Sequence, residues 1–320
     1  MKVLIPDLVP FEASAETSAE GIEFVVYDAA LPIAEEHIDA QGLVVWGMPN
    51  ELLADVARRL RNLEWLQLLS AGSDAAIAAG FDDRVAIMSG RSLHDAPVAE
   101  HALALTLAAA RRLHTLVRAQ IGHRWAGEIG GVQPEPSPGV FSTLRGANVV
   151  VWGYGSIGST LTPHLQGLGA HVTGVGTRAR VDGDVEVVTS TDLPRVLPQT
   201  DVVIMILPAS PDTVGIMGAD LLATLPAHAW VINVGRGATI DEDALIAALR
   251  EGRLGGAALD VTVEEPLPVA SALWDLPNVI LTPHAAGGRP LGAAGLIVEN
   301  LIAHVRGAEL RNLVRPARKA

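Results

Sequence analysis

Residues 149–158 read Val-Val-Val-Trp-Gly-Tyr-Gly-Ser-Ile-Gly, four apolar residues that run into a glycine-rich turn and then into an amphipathic stretch. A buried strand must therefore become a helix within a few residues, through glycines spaced as they are in turns that grip a dinucleotide. Gly153 admits the tight turn, Gly155 lets the backbone approach a pyrophosphate, and Gly158 lets helix lie on strand. The helix N-terminus offers unpaired N–H groups to the phosphates. The expected cofactor contacts here are Gly153, Tyr154, Gly155, Ser156, Ile157 and Gly158. A nucleotide fold beginning near residue 147 also leaves nearly half the chain ahead of it for a second domain.

The chain is long enough for that second domain: 320 residues, 49% apolar and 18% charged, carry two ordinary cores. Lys and Arg total 23 against 36 Asp and Glu, a formal charge of −13. Such a surface repels nucleic acid and anionic membranes, so the expected partner is a small molecule. Cysteine is absent, which excludes disulfides and thiolate metal sites, and no metal site is expected. No export signal opens the sequence, and no apolar run approaches the roughly 18 residues needed to span a bilayer. The expectation is a soluble cytoplasmic protein.

Short apolar runs at residues 3–5, 22–27, 43–46, 66–69 and 85–88 alternate with amphipathic stretches, as buried parallel strands do in βαβ units. Residues 98–119 read as one long buried helix that crosses between domains. Residues 130–142, with Pro134, Pro136 and Pro138, read as a surface loop. Strands recur at 171–175, 202–207, 230–234, 257–261 and 279–281, with a helix near 241–250. A second crossover helix is expected over 290–306, opened by Pro290. Arg311, Arg315, Arg318 and Lys319 make the tail basic, and it reads as a solvated, frayed end. The fold class is α/β: two Rossmann-like, doubly wound parallel-sheet domains. The cofactor domain (99–287) is inserted in a substrate domain (1–98 and 288–320).

Cofactor choice is read at the end of the strand after the glycine turn, where an acidic residue would grip the adenosine ribose. Gly176, Thr177, Arg178, Ala179 and Arg180 stand there instead. A hydroxyl and guanidinium groups favour NADP(H) over NAD(H); NAD(H) stays open if these arginines are simply solvated. Three more strands end in reactive side chains, on the side where open α/β sheets place ligands. Residues 231–237 supply Arg236, 259–266 supply Glu265, and 281–287 supply His284. Hydride transfer to a keto acid needs a fixed cation for carboxylate and carbonyl, and an acid for the nascent alkoxide. Arg236 has the planar fork for the first, and His284, oriented by Glu265, exchanges a proton near neutral pH.

The GYGSIG turn, Leu207-Pro208 with Thr213, NVGRG leading to Asp241, DVTVEEPLP and LTPHAAG stand in an order that resembles the D-isomer-specific 2-hydroxyacid dehydrogenase family. The likeness covers essentially the whole chain. It implies that Arg236 binds substrate, His284 is the acid/base and Glu265 its partner. It further implies that Asp260 sits near the nicotinamide, and that Leu207, Pro208, Thr213, Val234, Gly235 and Gly287 join Thr177 and Arg178 in holding the cofactor. Ala71 and Gly72 would face the substrate carboxylate with their backbone N–H groups, Val98 would approach the nicotinamide, and His101 would be structural. The resemblance also implies a homodimer through the cofactor domain. The implied reaction interconverts a 2-keto acid and a D-2-hydroxy acid, most like a glyoxylate/hydroxypyruvate reductase. A phosphoglycerate dehydrogenase-like enzyme without its regulatory domain, and a non-catalytic, NAD(P)H-sensing protein of the C-terminal-binding co-repressor type, are the alternatives. Glu265 argues against formate dehydrogenases, which pair their histidine with an amide. Residues 89–94 depart from the family pattern, which leaves Arg91 and His94 as candidates for contacting an extra anionic group on the substrate.

Overall fold

The computed structural model describes residues 1–131 and 140–317. Pro134, Pro136 and Pro138 of the expected loop, and Arg318 and Lys319 of the expected tail, lie outside these residues. Two compact units are present, Met1–His94 with Gly287–Ala320, and Asp95–Ala286.

The first unit begins with β1 (Lys2–Pro6), α1 (Ala15–Ala19), β2 (Glu23–Tyr27), β3 (Gly42–Val45), α2 (Asn50–Arg59), β4 (Trp65–Leu68), α3 (Asp74–Ala78) and β5 (Ala86–Met88). The second unit opens with α4 (Asp95–Ala110), α5 (Leu113–Ile121), β6 (Asn148–Trp152), α6 (Ser156–Gly167) and β7 (His171–Val175). It continues with β8 (Arg180–Asp182), β9 (Val185–Val188), α7 (Leu193–Val196), β10 (Val202–Met205) and α8 (Ala219–Leu222). It closes with β11 (Trp230–Asn233), α9 (Glu242–Arg250), β12 (Gly256–Leu259) and β13 (Val279–Leu281), after which α10 (Ala293–Val305) and β14 (Leu313–Arg315) complete the first unit.

The first sheet has the order β14-β5-β4-β3-β1-β2 and the second β13-β12-β11-β10-β6-β7-β9-β8. Both are doubly wound and parallel except at one edge each, where β14 pairs antiparallel with β5 and β8 with β9. The inner strands of each sheet, such as β3 and β10, are buried on both faces, which is why they read as unbroken apolar runs. In β6, Val149 and Val151 enter one core while Val150 and Trp152 enter the other, as the two-residue repeat of a strand requires. The helix α4 joins the first of these cores through Val98, Ala102 and Leu105, beside Leu161 and Leu165 of α6. At α9, Asp241 accepts the Ala244 N–H at 3.0 Å, with Glu242 and Asp243 in the first turn and Arg250 in the last. That arrangement caps the helix and opposes its dipole.

Several expectations need correction. The helix foreseen over 98–119 is two helices, because Arg112 takes a left-handed conformation (φ 52°) and turns the chain between α4 and α5. The last long helix is entered at Gly292 (φ 81°) rather than at Pro290. The basic tail is not frayed as far as Arg315: β14 is a strand, and the Arg315 guanidinium donates to the carbonyls of Phe81 (3.0 Å) and Asp82 (2.7 Å). Asn300 of α10 fixes that return, accepting Arg311 N–H and donating to Gln67 Oε1, both at 2.7 Å. Among the described residues no helix is long and apolar enough to cross a membrane, and no group of three or more His, Asp or Glu is placed to hold a metal.

Candidate active site

The glycine turn follows β6, at the point in the second sheet where strand order reverses between β6 and β10. Ligands of open α/β sheets sit outside such a point. Gly153 has φ 98°, and a Cβ there would lie 2.6 Å from the Ile206 carbonyl oxygen, so no other residue fits. Its N–H and that of Tyr154 both donate to the Val175 carbonyl, at 3.0 and 2.9 Å. At Gly155 the surroundings differ: an added Cβ would meet nothing within 4 Å, and α6 then starts with no side-chain cap. Space and uncapped helix N–H groups together fit a pyrophosphate. Gly158 packs on Val151 and Ile157 on the neighbouring core.

Other expected cofactor residues have varied surroundings. The Tyr154 ring is buried in the core, with Arg180 5.6 Å from its centroid and donating to its carbonyl at 3.1 Å. Ser156 Oγ donates to Asp95 Oδ1 at 2.9 Å. Thr177 and Arg178 are exposed. Thr213 Oγ1 donates to the Pro208 carbonyl at 2.7 Å and accepts the Ser210 N–H at 2.8 Å, so it shapes the turn after Leu207. Val234 N–H donates to the Met205 carbonyl. Gly287 falls in the first unit, apart from the other expected cofactor residues in chain grouping.

Three neighbouring strands, β11, β12 and β13, carry Arg236, Asp260 with Glu265, and His284 just beyond their ends. The Arg236 loop is organised by Asn233, whose buried amide accepts the Gly235 N–H and donates to the Arg236 carbonyl, each at 3.0 Å. The half-buried guanidinium donates from Nη1 to the Gly235 carbonyl at 2.8 Å. A methyl at Gly237 would overlap the Thr262 backbone, so the loops bearing Arg236 and Glu265 touch main chain to main chain. Glu265 Oε1 accepts the Thr262 N–H at 3.1 Å, and Oε2 lies 2.7 Å from His284 Nδ1. A carboxylate only accepts, so Nδ1 bears the hydrogen and Nε2 is left for another partner. His284 itself is left-handed (φ 52°), a conformation that costs a non-glycine residue about 1–3 kcal/mol, offset here by the contacts around it. Its N–H donates to the Asp260 carbonyl at 2.8 Å.

In the first unit, Ala71 and Gly72 lie in the loop between β4 and α3. Ser70 Oγ donates to the Gly72 carbonyl at 2.7 Å, and the Ser70 carbonyl accepts the Gly90 N–H at 2.7 Å. Among the described residues, no protein acceptor meets the N–H of Ala71 or Gly72. His94 is buried and bonds the Leu69 carbonyl at 2.7 Å, whereas the Arg91 side chain is exposed. Sequence reading missed Asn233, whose one signal was an amide inside an apolar run. It also missed the partnership of His101 with Thr282, which no spacing reveals.

A nucleotide turn and an imidazole held on a carboxylate at neighbouring strand ends are the anatomy of a nicotinamide-dependent oxidoreductase. Residues 103–286 match the family described as D-isomer specific 2-hydroxyacid dehydrogenase, NAD binding domain. The glyoxylate/hydroxypyruvate reductase B of Pectobacterium atrosepticum is 31% identical over 283 residues, 87% of this chain and 86% of that protein. A D-isomer specific 2-hydroxyacid dehydrogenase from Xanthobacter autotrophicus Py2, solved with NADPH and MES, superposes with a TM-score of 0.79 at 32% identity, covering 98% of this chain and 97% of that one. An NADPH-dependent glyoxylate/hydroxypyruvate reductase from Sinorhizobium meliloti, solved with NADP and sulfate, gives 0.79 at 26% identity over 98% and 97%. The chain belongs to the D-isomer specific 2-hydroxyacid dehydrogenase family. It is an NAD(P)-dependent oxidoreductase acting between 2-keto and 2-hydroxy acids.

Proposed function

We propose that the protein is an NADP(H)-preferring reductase of small 2-keto acids of the glyoxylate and hydroxypyruvate type, giving D-2-hydroxy acids, and that it works as a homodimer. The observation that carries the reading is the 2.7 Å contact between His284 Nδ1 and Glu265 Oε2, on the same sheet as the glycine turn. When bound, the nicotinamide supplies the hydride. The turn at residues 153–158 holds the pyrophosphate on the uncapped start of α6, and Thr177 with Arg178 takes the 2′-phosphate. Arg236 clamps the keto acid through its fork. Protonated His284, oriented by Glu265, delivers a proton from Nε2 to the oxygen as negative charge develops there.

Support for NADP(H) comes from the missing acidic residue after β7 and from the two relatives solved with NADPH or NADP. Support for self-association comes from α5, where Leu113, Val117 and Ile121 recur at helical spacing on an exposed face. Replacing His284 by Ala is expected to lower turnover of glyoxylate or hydroxypyruvate about 10²- to 10⁴-fold, read by NADPH absorbance, with NADPH still bound. Undiminished turnover would remove the acid/base assignment.

A further inference from the structure

The Asp260 carboxylate is fully buried and holds the histidine-bearing segment from both sides. Its Oδ1 accepts Thr282 Oγ1–H at 2.6 Å and the Ala285 N–H at 2.8 Å, and Oδ2 accepts the Ala286 N–H at 3.0 Å. These donors flank His284, so one carboxylate sets the path of the chain into and out of that residue. His101, on α4, brings Nε2 to 3.0 Å from Thr282 Oγ1 and 3.2 Å from Asp260 Oδ1. The one hydroxyl hydrogen of Thr282 is committed to the carboxylate at 2.6 Å. Thr282 therefore has only lone pairs for His101, and Nε2 is the nitrogen of that ring that bears hydrogen.

We infer that His101 and Thr282 are positioning residues for the reaction: acting through Asp260, they hold His284 in its left-handed conformation with Nδ1 on Glu265. The inference rests on the acid/base reading of His284. At His284 the left-handed backbone (φ 52°) is held by the bonds that Asp260 takes from Thr282 on one side and from Ala285 and Ala286 on the other. Without the Thr282 hydroxyl, Asp260 loses its shortest bond and His101 the nearer of its two acceptors, Asp260 Oδ1 at 3.2 Å being the other. The imidazole then spends less time where Nε2 can reach the reacting oxygen, a loss that belongs to kcat and not to cofactor binding.

The test compares Thr282→Val, Thr282→Ser, His101→Leu and His284→Ala. Each is assayed with NADPH and hydroxypyruvate, and each cofactor-free protein is examined by NMR of the His284 Nδ1–H. Thr282→Val and His101→Leu are expected to lower kcat about tenfold or more while the KM for NADPH stays within about twofold. Thr282→Ser, which keeps the hydroxyl, restores kcat. The His284 Nδ1–H signal weakens in the Val and Leu variants and returns in the Ser variant. Wild-type kcat in Thr282→Val, a Ser variant as slow as the Val variant, or an unchanged Nδ1–H signal in the slow variants overturns the inference. Should His284→Ala be inactive while Thr282→Val is not, only this inference falls; should His284→Ala stay active, the acid/base reading falls and takes the inference with it.

Discussion

At the scale of single residues, side chains that do no chemistry set the geometry of those that do. Gly237 is the sharpest case, since any side chain there must displace the Thr262 backbone and with it the loop that ends in Glu265. Gly237→Ala is expected to lower kcat/KM for the keto acid about 100-fold, in steady-state kinetics, with NADPH binding kept. Another residue couples stability to pH. Burial, then the nearby Arg118 and Arg112 guanidinium groups, hold the His114 imidazole below its ordinary value of 6.5, with its ring edge against Trp230 at 5.3 Å. Protonation thus favours the unfolded chain: stability is full above the ordinary histidine value and declines as the pH falls through it. His114→Phe keeps the ring contact and removes the titration, so the drop in urea midpoint between neutral and mildly acidic pH should shrink in that variant. The places of Arg236, Glu265 and His284 were legible because each follows the apolar run of a strand, and the 2.7 Å pairing of the last two is what the structure adds. Asn233 and His101 were not, since a polar side chain that turns inward to serve a loop has the same letter as one that faces water.

At the scale of elements, legibility followed burial. Strands such as β6, β10 and β11 are apolar on both faces and so stand out as runs, whereas β8 is exposed along its length and β14 largely so. The break at Arg112 carries neither glycine nor proline, so no letter marks it. The turn from β6 to α6 was legible to the residue, because each of its glycines meets a different steric demand. The open space around Gly155 gives a clean test. Gly155→Ala puts a methyl into the volume assigned to the pyrophosphate with no protein atom within 4 Å of it, so NADPH binding should weaken by roughly 100-fold, about 3 kcal/mol, in a fluorescence titration. An unchanged melting temperature alongside would separate lost binding from lost folding.

At the scale of the whole molecule, two doubly wound sheets of different strand order share one chain, and that architecture was readable from the alternating runs together with the glycine turn, without the antiparallel edges β8 and β14. What periodicity does not convey is which helical faces stay open. On α5, Ile121 is 74% exposed, and Trp125 just beyond is 95% exposed, a costly display for a lone protein in water. Sedimentation should therefore report twice the 33.4 kDa chain mass, and Ile121→Glu with Val117→Glu should return it to a single chain. A wild-type protein at 33.4 kDa would rule out the homodimer.

The first unit is stitched from segments on either side of the second, with α10 filling one of its cores and β14 closing the outer edge of β5. A ribosome delivers those two pieces only after residues 95–286. The nascent first 94 residues must wait with an uncovered apolar face and an unpaired strand edge, while residues 95–286 form a contiguous unit able to fold as soon as it emerges. The nucleotide-gripping unit can thus fold first, and the interval before α10 and β14 emerge is when this polypeptide is most in need of a chaperone.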